Sequence, residues 1–258
     1  KPIIRYPAPT AIRRAGRAVG QVRVAVETEG GPAVVTCTGV LIAENLVLTA
    51  FRCVPGVLAE PGLAARGPKR ITRVDFITGF DAPRVGEQGQ RVALDPDPVE
   101  ADADLGFVVL RADGRPGAEG AVLALDPPSL STGMPLAILG HPFGTSKQVV
   151  RQGCALRGSV TEGGRLTHGC AALPGNVGAP VLDGDGRMIG VHLQEEPRAT
   201  GGRGVSIAAL LDSSGFLRAV AAGESAEAAL AVKAKKARLS AKNAKSGKKT
   251  TITGDGFK

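Results

Sequence analysis

The chain has 258 residues, a formal net charge of +8 and a hydrophobic content of 43%. No apolar stretch approaches the roughly 18 residues of a transmembrane helix, so the sequence predicts no membrane span. Glycine (36 residues) and proline (18 residues) are abundant, which favours short strands joined by many turns over a helical bundle.

The predicted elements divide the chain into four parts. Residues 1–16 contain three prolines and no hydrophobic periodicity, so we predict an extended N-terminal arm. No basic-then-apolar leader precedes it, and we expect any signal peptide to have been removed. Strand-like runs separated by glycine and proline clusters fill residues 17–126. After a proline-rich joint, a second set of strand-like runs fills 127–222 and ends in a helical pattern. Two β halves in this order predict an all-β fold of two barrels with a terminal helix.

Residues 223–258 form a basic, Lys/Ala-rich extension with few apolar residues, so we predict that it does not fold against the body. Its segment from Lys233 to Lys249 contains no acid and eight cations: Lys233, Lys235, Lys236, Arg238, Lys242, Lys245, Lys248 and Lys249. The chain has 32 Lys/Arg and 24 Asp/Glu, so removing these eight leaves 24 residues of each sign. This cluster of eight cations therefore accounts for the whole charge excess. We expect it to dock on an anionic partner: an acidic protein face, a phosphate-rich polymer or an envelope polysaccharide. The alternative is a solvated tail that aids solubility.

The four cysteines form two pairs with equal spacing. Cys37 and Cys53 are sixteen positions apart, as are Cys154 and Cys170. This spacing fits neither a CxxC zinc site nor a redox motif, so two local disulfides are expected. The alternative is four buried thiols in a cytosolic protein. Disulfides predict an oxidising location: periplasm, cell envelope or extracellular space.

Four segments, CTGVLIAENLVLTAFRC, DADLGFVVL, LPGNVGAPVLDGDGRMIGVHL and GCALRGSVTEGGRLTHGC, together resemble chymotrypsin-like serine proteases, specifically their bacterial trypsin-like branch. CTGVLIAENLVLTAFRC (37–53) is similar to the first-barrel segment in which the base histidine directly precedes the second cysteine. DADLGFVVL resembles the strand of the orienting aspartate, and LPGNVGAPVLDGDGRMIGVHL resembles the nucleophile segment. GCALRGSVTEGGRLTHGC matches the paired-cysteine hairpin of the bacterial members. The resemblance covers roughly residues 18 to 220 in the family's own order and implies the trypsin-like two-barrel fold.

The resemblance assigns the three triad positions to Arg52, Asp104 and Val177, which should converge where the barrels meet. Valine has no nucleophilic atom, and arginine, with a pKa above about 12, cannot serve as a base. We therefore predict a catalytically inactive homologue, a pseudoprotease that acts as a binding or structural module for a protein partner or a multi-subunit assembly. Two alternatives remain: a hydrolase with a displaced nucleophile, Ser159 or Ser206, and a basic-tail anchor for an anionic polymer.

The resemblance also implies roles for the residues around the lost triad. Gly175 and the N–H of Val177 would form the remnant of the oxyanion hole. Arg52 would pair with the carboxylate of Asp104.

The histidines are the last candidates. His192 falls where glutamate-selective relatives place a histidine in the specificity pocket, so it either accepts an acidic side chain or chain terminus, or is a satisfied strand histidine. His168 is expected to be structural, and His141 has no evident partner. Three dispersed histidines do not predict a metal site, and no motif predicts a cofactor.

Overall fold

The structure is a computed structural model and describes residues 1–83, 89–117, 122–196, 200–231 and 233–234. The first half of the chain forms a seven-stranded antiparallel sheet of order β5-β4-β1-β2-β3-β7-β6. Its strands are β1 (Val19–Thr28), β2 (Gly31–Ala43), β3 (Leu46–Ala50), β4 (Pro68–Thr78), β5 (Gln90–Leu94), β6 (Glu100–Asp102) and β7 (Phe107–Arg111). A bridge between Leu94 and Ala112 joins the end of β5 to the chain just after β7 and curls the sheet.

The second half forms another seven-stranded antiparallel sheet, of order β10-β11-β14-β13-β12-β8-β9. Its strands are β8 (Ala137–Gly140), β9 (Gln148–Val150), β10 (Leu156–Arg157), β11 (Arg165–His168), β12 (Pro180–Leu182), β13 (Met188–Glu195) and β14 (Gly202–Ser206). A bridge between Pro135 and Ala155 curls this sheet in the same way. The predicted all-β, two-barrel fold is confirmed.

Alternation of side chains explains why these segments become strands. In β1, Val22, Val24 and Val26 are buried, whereas the intervening residues are partly exposed. A period of two places one face of a strand on the core and the other toward solvent. β7 departs from this pattern, because four consecutive residues from Phe107 are fully buried. It lies between β3 and the short edge strand β6.

Helices are short and lie outside the sheets. The α-helices that precede residue 223 are α1 (Ala11–Gly16), α2 (Pro61–Ala64), α3 (Ile207–Ser213) and α4 (Gly215–Ala221). The 3₁₀ helices are Ile3–Arg5, Gly56–Ala59 and Pro142–Gly144. The side chains of Thr10, Ser206 and Ser214 cap α1, α3 and α4 by accepting hydrogen bonds from backbone N–H groups. Among the described residues, no helix has the length and apolar character needed to cross a membrane.

The predicted extended conformation of residues 1–16 is wrong. The segment contains a 3₁₀ turn and helix α1, and the side chain of Ile3 is buried. Its backbone joins the second sheet, since the N–H of Ile3 donates to Lys147 O and the N–H of Val149 donates to Lys1 O. The three prolines hid this arrangement, because the helix starts only after the last of them, at its Thr10 cap.

The start of the C-terminal extension also departs from the prediction. Residues 226–231 are helical, Ala226 and Ala229 are buried, and Leu230 packs against the main core. The ammonium of Lys233 lies 2.7 Å from a carboxylate oxygen of Glu100. Two alanines are enough to pack this helix against the barrel, because their small side chains let it approach closely. The other seven cations of the cluster, and Lys258, lie outside the described residues.

Both expected disulfides are present, Cys37–Cys53 and Cys154–Cys170. The first joins β2 to the turn that follows β3, and the second closes the loop that contains β10 and β11. Two disulfides fit an extracytoplasmic protein, because such bonds persist in oxidising compartments.

Candidate functional site

Arg52 and Val177 line the same cleft, although 125 positions separate them in sequence. The cleft has a volume of about 360 Å³. It is lined by Val35, Thr36, Cys37, Arg52, Glu60, Gly62, Leu63, Pro174, Gly175, Val177 and Glu195. Three of the predicted site residues, Arg52, Gly175 and Val177, are therefore brought together. Asp104 and His192 are not among the lining residues.

Arg52 is held by Glu60. It lies in the turn after β3, and its Nε and Nη2 each donate to one carboxylate oxygen of Glu60 at 2.7 Å. The hydrogen bond to Glu60 raises the pKa of Arg52, outweighing the lowering effect of burial. Two parallel bonds of this kind fix the guanidinium plane as well as its charge. The side chain at the base position is thus a cation with a fixed orientation.

The predicted Arg52–Asp104 pair is wrong. Asp104 is exposed in the turn between β6 and β7, and its side chain makes no hydrogen bond or ion pair with any described residue. Its carbonyl oxygen accepts a hydrogen bond from Arg165, as does that of Leu105. The guanidinium turns instead to Glu60, which comes from the loop between β3 and β4. An exposed carboxylate remains hydrated and needs no partner.

Val177 and Gly175 keep two backbone N–H groups without partners. Neither N–H donates a hydrogen bond to any of the described residues, and both residues line the cleft. Their carbonyl groups are occupied, because Val177 O accepts from the N–H of Thr38 at 2.8 Å and Gly175 O accepts from the Thr38 hydroxyl at 2.8 Å. Gly175 has φ +98°, and a Cβ there would collide with His141 O. A pair of unpaired N–H groups is what an oxyanion hole requires.

His168 and His192 form a buried pair whose tautomers can be deduced. The N–H of Cys170 donates to His168 Nδ1 at 3.3 Å, so the proton of His168 lies on Nε2. Nε2 of His168 lies 3.0 Å from His192 Nδ1 and donates to it, which puts the His192 proton on its own Nε2. That Nε2–H is buried and has no acceptor among the described residues.

Burial keeps both rings neutral. It lowers the pKa of His168 to about 4, with the charge of Arg157 adding to the effect. It lowers the pKa of His192 to about 3, with His168 and Arg52 adding to the effect. His192 Nδ1 thus accepts a hydrogen bond, as expected of a satisfied strand histidine. Its Nε2–H has no acceptor among the described residues, and Arg52 is near enough to lower its pKa.

His141 has a partner that sequence reasoning missed. Its Nδ1 lies 2.9 Å from Thr145 O, and its ring stacks on Phe80. Burial lowers the pKa of His141 to about 3, and the neighbouring Lys147 adds to the effect. Within the described ranges, no group of three His, Cys, Asp or Glu side chains could hold a metal ion.

The two serines proposed as displaced nucleophiles serve other roles or none. Ser206 is buried, and its Oγ caps α3 by accepting from the N–H of Ala209 at 3.2 Å. Ser159 is exposed on the hairpin after β10. Neither hydroxyl bonds to a histidine in the part of the chain that the structure describes, so neither has an activating base.

Two carboxylates of the cleft were missed by sequence reasoning. Glu60 binds Arg52, and Glu195, at the end of β13, lines the cleft with a buried Oε1 that has no partner among the described residues. Neither belongs to a motif. The one sequence signal for Glu60 was Arg52 itself. An arginine directly after an apolar strand is expected to be partly buried, and it then needs a carboxylate within reach.

Comparison with known proteins gives the family. Residues 37–191, 155 of the 258, match the trypsin-like peptidase domain. The chain belongs to this family of trypsin-like peptidase domains. A search of curated protein sequences found no match.

Solved structures give the same fold. The active form of the Rv3671c protease from M. tuberculosis superposes with a TM-score of 0.59 at 16% identity, over 80% of this chain and 85% of the other. The serine endoprotease from Yersinia pestis gives 0.60 at 14% identity, over 84% and 67%. An HtrA-type protease, AlgW, crystallised with a tripeptide, gives 0.58 at 16% identity, over 84% and 64%. At these identities the likeness shows the fold alone.

Proposed function

We propose that this chain is a non-catalytic member of the family that works as a protein-binding or structural module. One observation carries the proposal: the cleft in which the base and the nucleophile would meet contains Arg52, bound by Glu60, and Val177. A guanidinium cannot take a proton from a hydroxyl at neutral pH, and valine offers none.

Two further features support it. Asp104 is exposed, and its carboxylate makes no hydrogen bond to an imidazole among the described residues, so it does not orient a base. The cleft itself is open and keeps its unpaired N–H groups at Gly175 and Val177. A groove that can still receive a peptide backbone, without the groups that cleave it, fits a binding role.

The test is a fluorophosphonate probe combined with a general peptidase assay on the full chain. We expect no labelling and no turnover. Val177→Ser and Arg52→His, singly and together, are the matched variants. The double variant should remain close to inactive, because loss of the orienting aspartate alone lowers the rate about 10⁴-fold. Turnover by the unmodified chain, removed by a serine-directed reagent, would refute the proposal.

We further propose that the basic extension docks the module on an anionic partner, in a secreted, periplasmic or cell-envelope setting. Lys233 is engaged with Glu100, so seven cations remain for this purpose. Their mutual repulsion is relieved against a surface of opposite charge.

Binding to heparin and to a 20-base-pair DNA duplex tests the extension. We expect affinity for the duplex to fall about 10³-fold between 50 and 200 mM salt, as for other multivalent phosphate contacts. Deletion of residues 235–258 should abolish binding, and it leaves the packed Ala226, Ala229 and Lys233 in place. A full-length variant with the seven cations changed to glutamine controls for length. Equal binding by full-length and deleted chains would show that the extension is not the anchor.

A further inference from the structure

Phe143 combines an unusual backbone with an exposed ring. Its φ of 51° makes it the single non-glycine residue with positive φ among the described residues. Its side chain is 68% exposed, more than any other large apolar side chain there. Bulky residues avoid this region of backbone space because of steric strain. If this strained backbone served packing, the side chain should be buried. Instead, the ring of Phe143 is exposed to solvent.

The backbone around Phe143 is fixed on three sides. Its N–H donates to Pro174 O at 2.6 Å, and the N–H of Gly144 donates to His141 O at 3.0 Å. The side-chain amide of Gln21 donates to Gly144 O at 2.8 Å. The backbone that carries the ring is therefore fixed before any partner arrives. A preorganised, exposed aromatic side chain is the typical anchor of a protein interface.

A polar cavity of about 380 Å³ lies against this ring. Its charged lining residues are Arg23 and Arg91, and none of the described residues that line it is acidic. Arg91 lies 3.5 Å from Asp75, a carboxylate that Arg73 already binds at 2.8 Å. Arg23 makes no ion pair with any described residue. The cavity thus holds a cation without a fixed partner.

The surface beside this cavity continues to the cleft that contains Arg52 and Val177, which we call the degenerate cleft. Thr36 lines both cavities, and its side chain lies against Gly144. Two positions earlier on the same face of β2 is Val34, which is 55% exposed. Phe143 thus borders a cationic cavity, and Val34 adds a second exposed apolar side chain along β2.

We propose that this surface binds a segment of a partner protein that carries a carboxylate next to a large apolar side chain. The carboxylate enters the cavity and pairs with Arg23, and the apolar side chain packs on the ring of Phe143. Charge complementarity selects the acidic segment, because the cavity offers Arg23, a cation without a fixed partner, and has no anion among its described lining residues. The segment can continue past Thr36 into the degenerate cleft. A hydrolase could bind the same segment, so detection of turnover would refute the proposed function and leave this proposal standing.

Selection of random twelve-residue peptides displayed on phage, against the immobilised full chain, tests the proposal. We expect enrichment of peptides with Asp or Glu beside a large apolar residue. A selected peptide, synthesised with a fluorophore, should bind at least 10-fold more weakly to Phe143→Gly and to Arg23→Gln. Glycine suits positive φ, so the first variant removes the ring without adding strain.

Two control variants remove similar groups elsewhere. Ile4→Ser deletes another exposed apolar side chain, and Arg115→Gln deletes an exposed arginine; both should bind like the unmodified chain. Three results would overturn the proposal: selected peptides without acidic residues, equal binding by Phe143→Gly, or self-association of the chain that Phe143→Gly abolishes. The last result would identify a second copy as the occupant.

Discussion

The two halves of the degenerate cleft differ in what they retain. The first sheet contributes Arg52, a side chain locked to Glu60, while the aspartate of the predicted triad points to solvent. The second sheet contributes backbone: two N–H groups without acceptors among the described residues, and a glycine whose conformation admits no side chain. The side chains that the resemblance leads us to expect are therefore missing on one side, whereas the expected backbone N–H groups are present on the other.

The physical reason is that backbone geometry is coupled to the fold. Gly175 and Val177 are fixed by hydrogen bonds to Thr38, a buried residue of β2. A substitution at position 177 does not move the N–H, because every residue except proline has one. The chemistry of a side chain has no such protection. The comparison can be tested by perturbing each half separately.

The largest difference in stability between the two halves is expected at acidic pH, because all three histidines of the chain lie in the second half. Burial lowers the pKa values of His141 and His192 to about 3 and that of His168 to about 4. The unfolded chain, with histidine pKa near 6.5, takes up protons that the folded chain refuses. The stability that the neutral histidines contribute is therefore fully present above pH 6.5. It is lost as the pH falls toward the pKa values of the folded state.

Between pH 7.5 and 5 each histidine should lower the free energy of unfolding by about 2 kcal/mol, or about 6 kcal/mol together. Urea unfolding at several pH values measures this, and hydrogen exchange should show the second sheet opening first. His141→Asn should reduce the proton uptake from about three to two. A stability that stays flat over this range would contradict the neutral, buried assignment.

The contact between the halves should give the next largest effect. Lys147 is 1% exposed, and its Nζ donates to Gly16 O at 2.7 Å and to Asp81 at 2.8 Å. Asp81→Ala should lower the free energy of unfolding by about 3 kcal/mol, because a buried ammonium loses its counter-charge. Lys147→Met should cost only about 1 kcal/mol, since it removes the charge as well. Thermal or urea unfolding compares the two, and a larger loss for Lys147→Met would reverse the interpretation.

The two disulfides offer a matched comparison of the halves. Both bridge cysteines sixteen positions apart, so loop entropy predicts the same stabilisation for each, about 3 kcal/mol. Replacing both cysteines of one pair by serine, in two separate variants, should give equal losses in urea unfolding. A difference above about 1 kcal/mol would show that one sheet depends on its bridge for packing.

The smallest effect is expected at the Arg52–Glu60 pair. Its side chains are 41% and 24% exposed, and exposed pairs contribute at most about 1 kcal/mol. Glu60→Gln should therefore lower stability by less than that, and by still less in high salt. Glu27→Gln, which breaks the more exposed pair with Arg70, serves as the control and should change nothing measurable. A loss of several kcal/mol for Glu60→Gln would mean that the pair holds the cleft together.

The sequence predicted those parts of the molecule that local patterns encode. Alternating apolar residues marked the strands, and the equal cysteine spacing marked both disulfides. The partner of Arg52 was missed because a long, flexible side chain pairs with whichever carboxylate the fold brings close to it. The loop that carries Glu60 has no sequence pattern that would place Glu60 there. The conformation of Phe143 was missed for a similar reason, since two long-range hydrogen bonds, to Pro174 and from Gln21, help to impose it against the preference of the residue.

The ion pair between Lys233 and Glu100 sets the geometry of a tether. It fixes the root of the extension on the first sheet, beside β6. Lys249, the last of the eight clustered cations, comes 15 residues after Ala234, and a fully extended chain spans at most about 3.5 Å per residue. The backbone of each of the seven remaining cations must therefore lie within about 53 Å of Ala234. Inside that radius, one contact raises the effective concentration of the barrels for a second contact on the same assembly. In the docking that we propose for the extension, its packed helical start determines which side of the barrels faces the anionic partner.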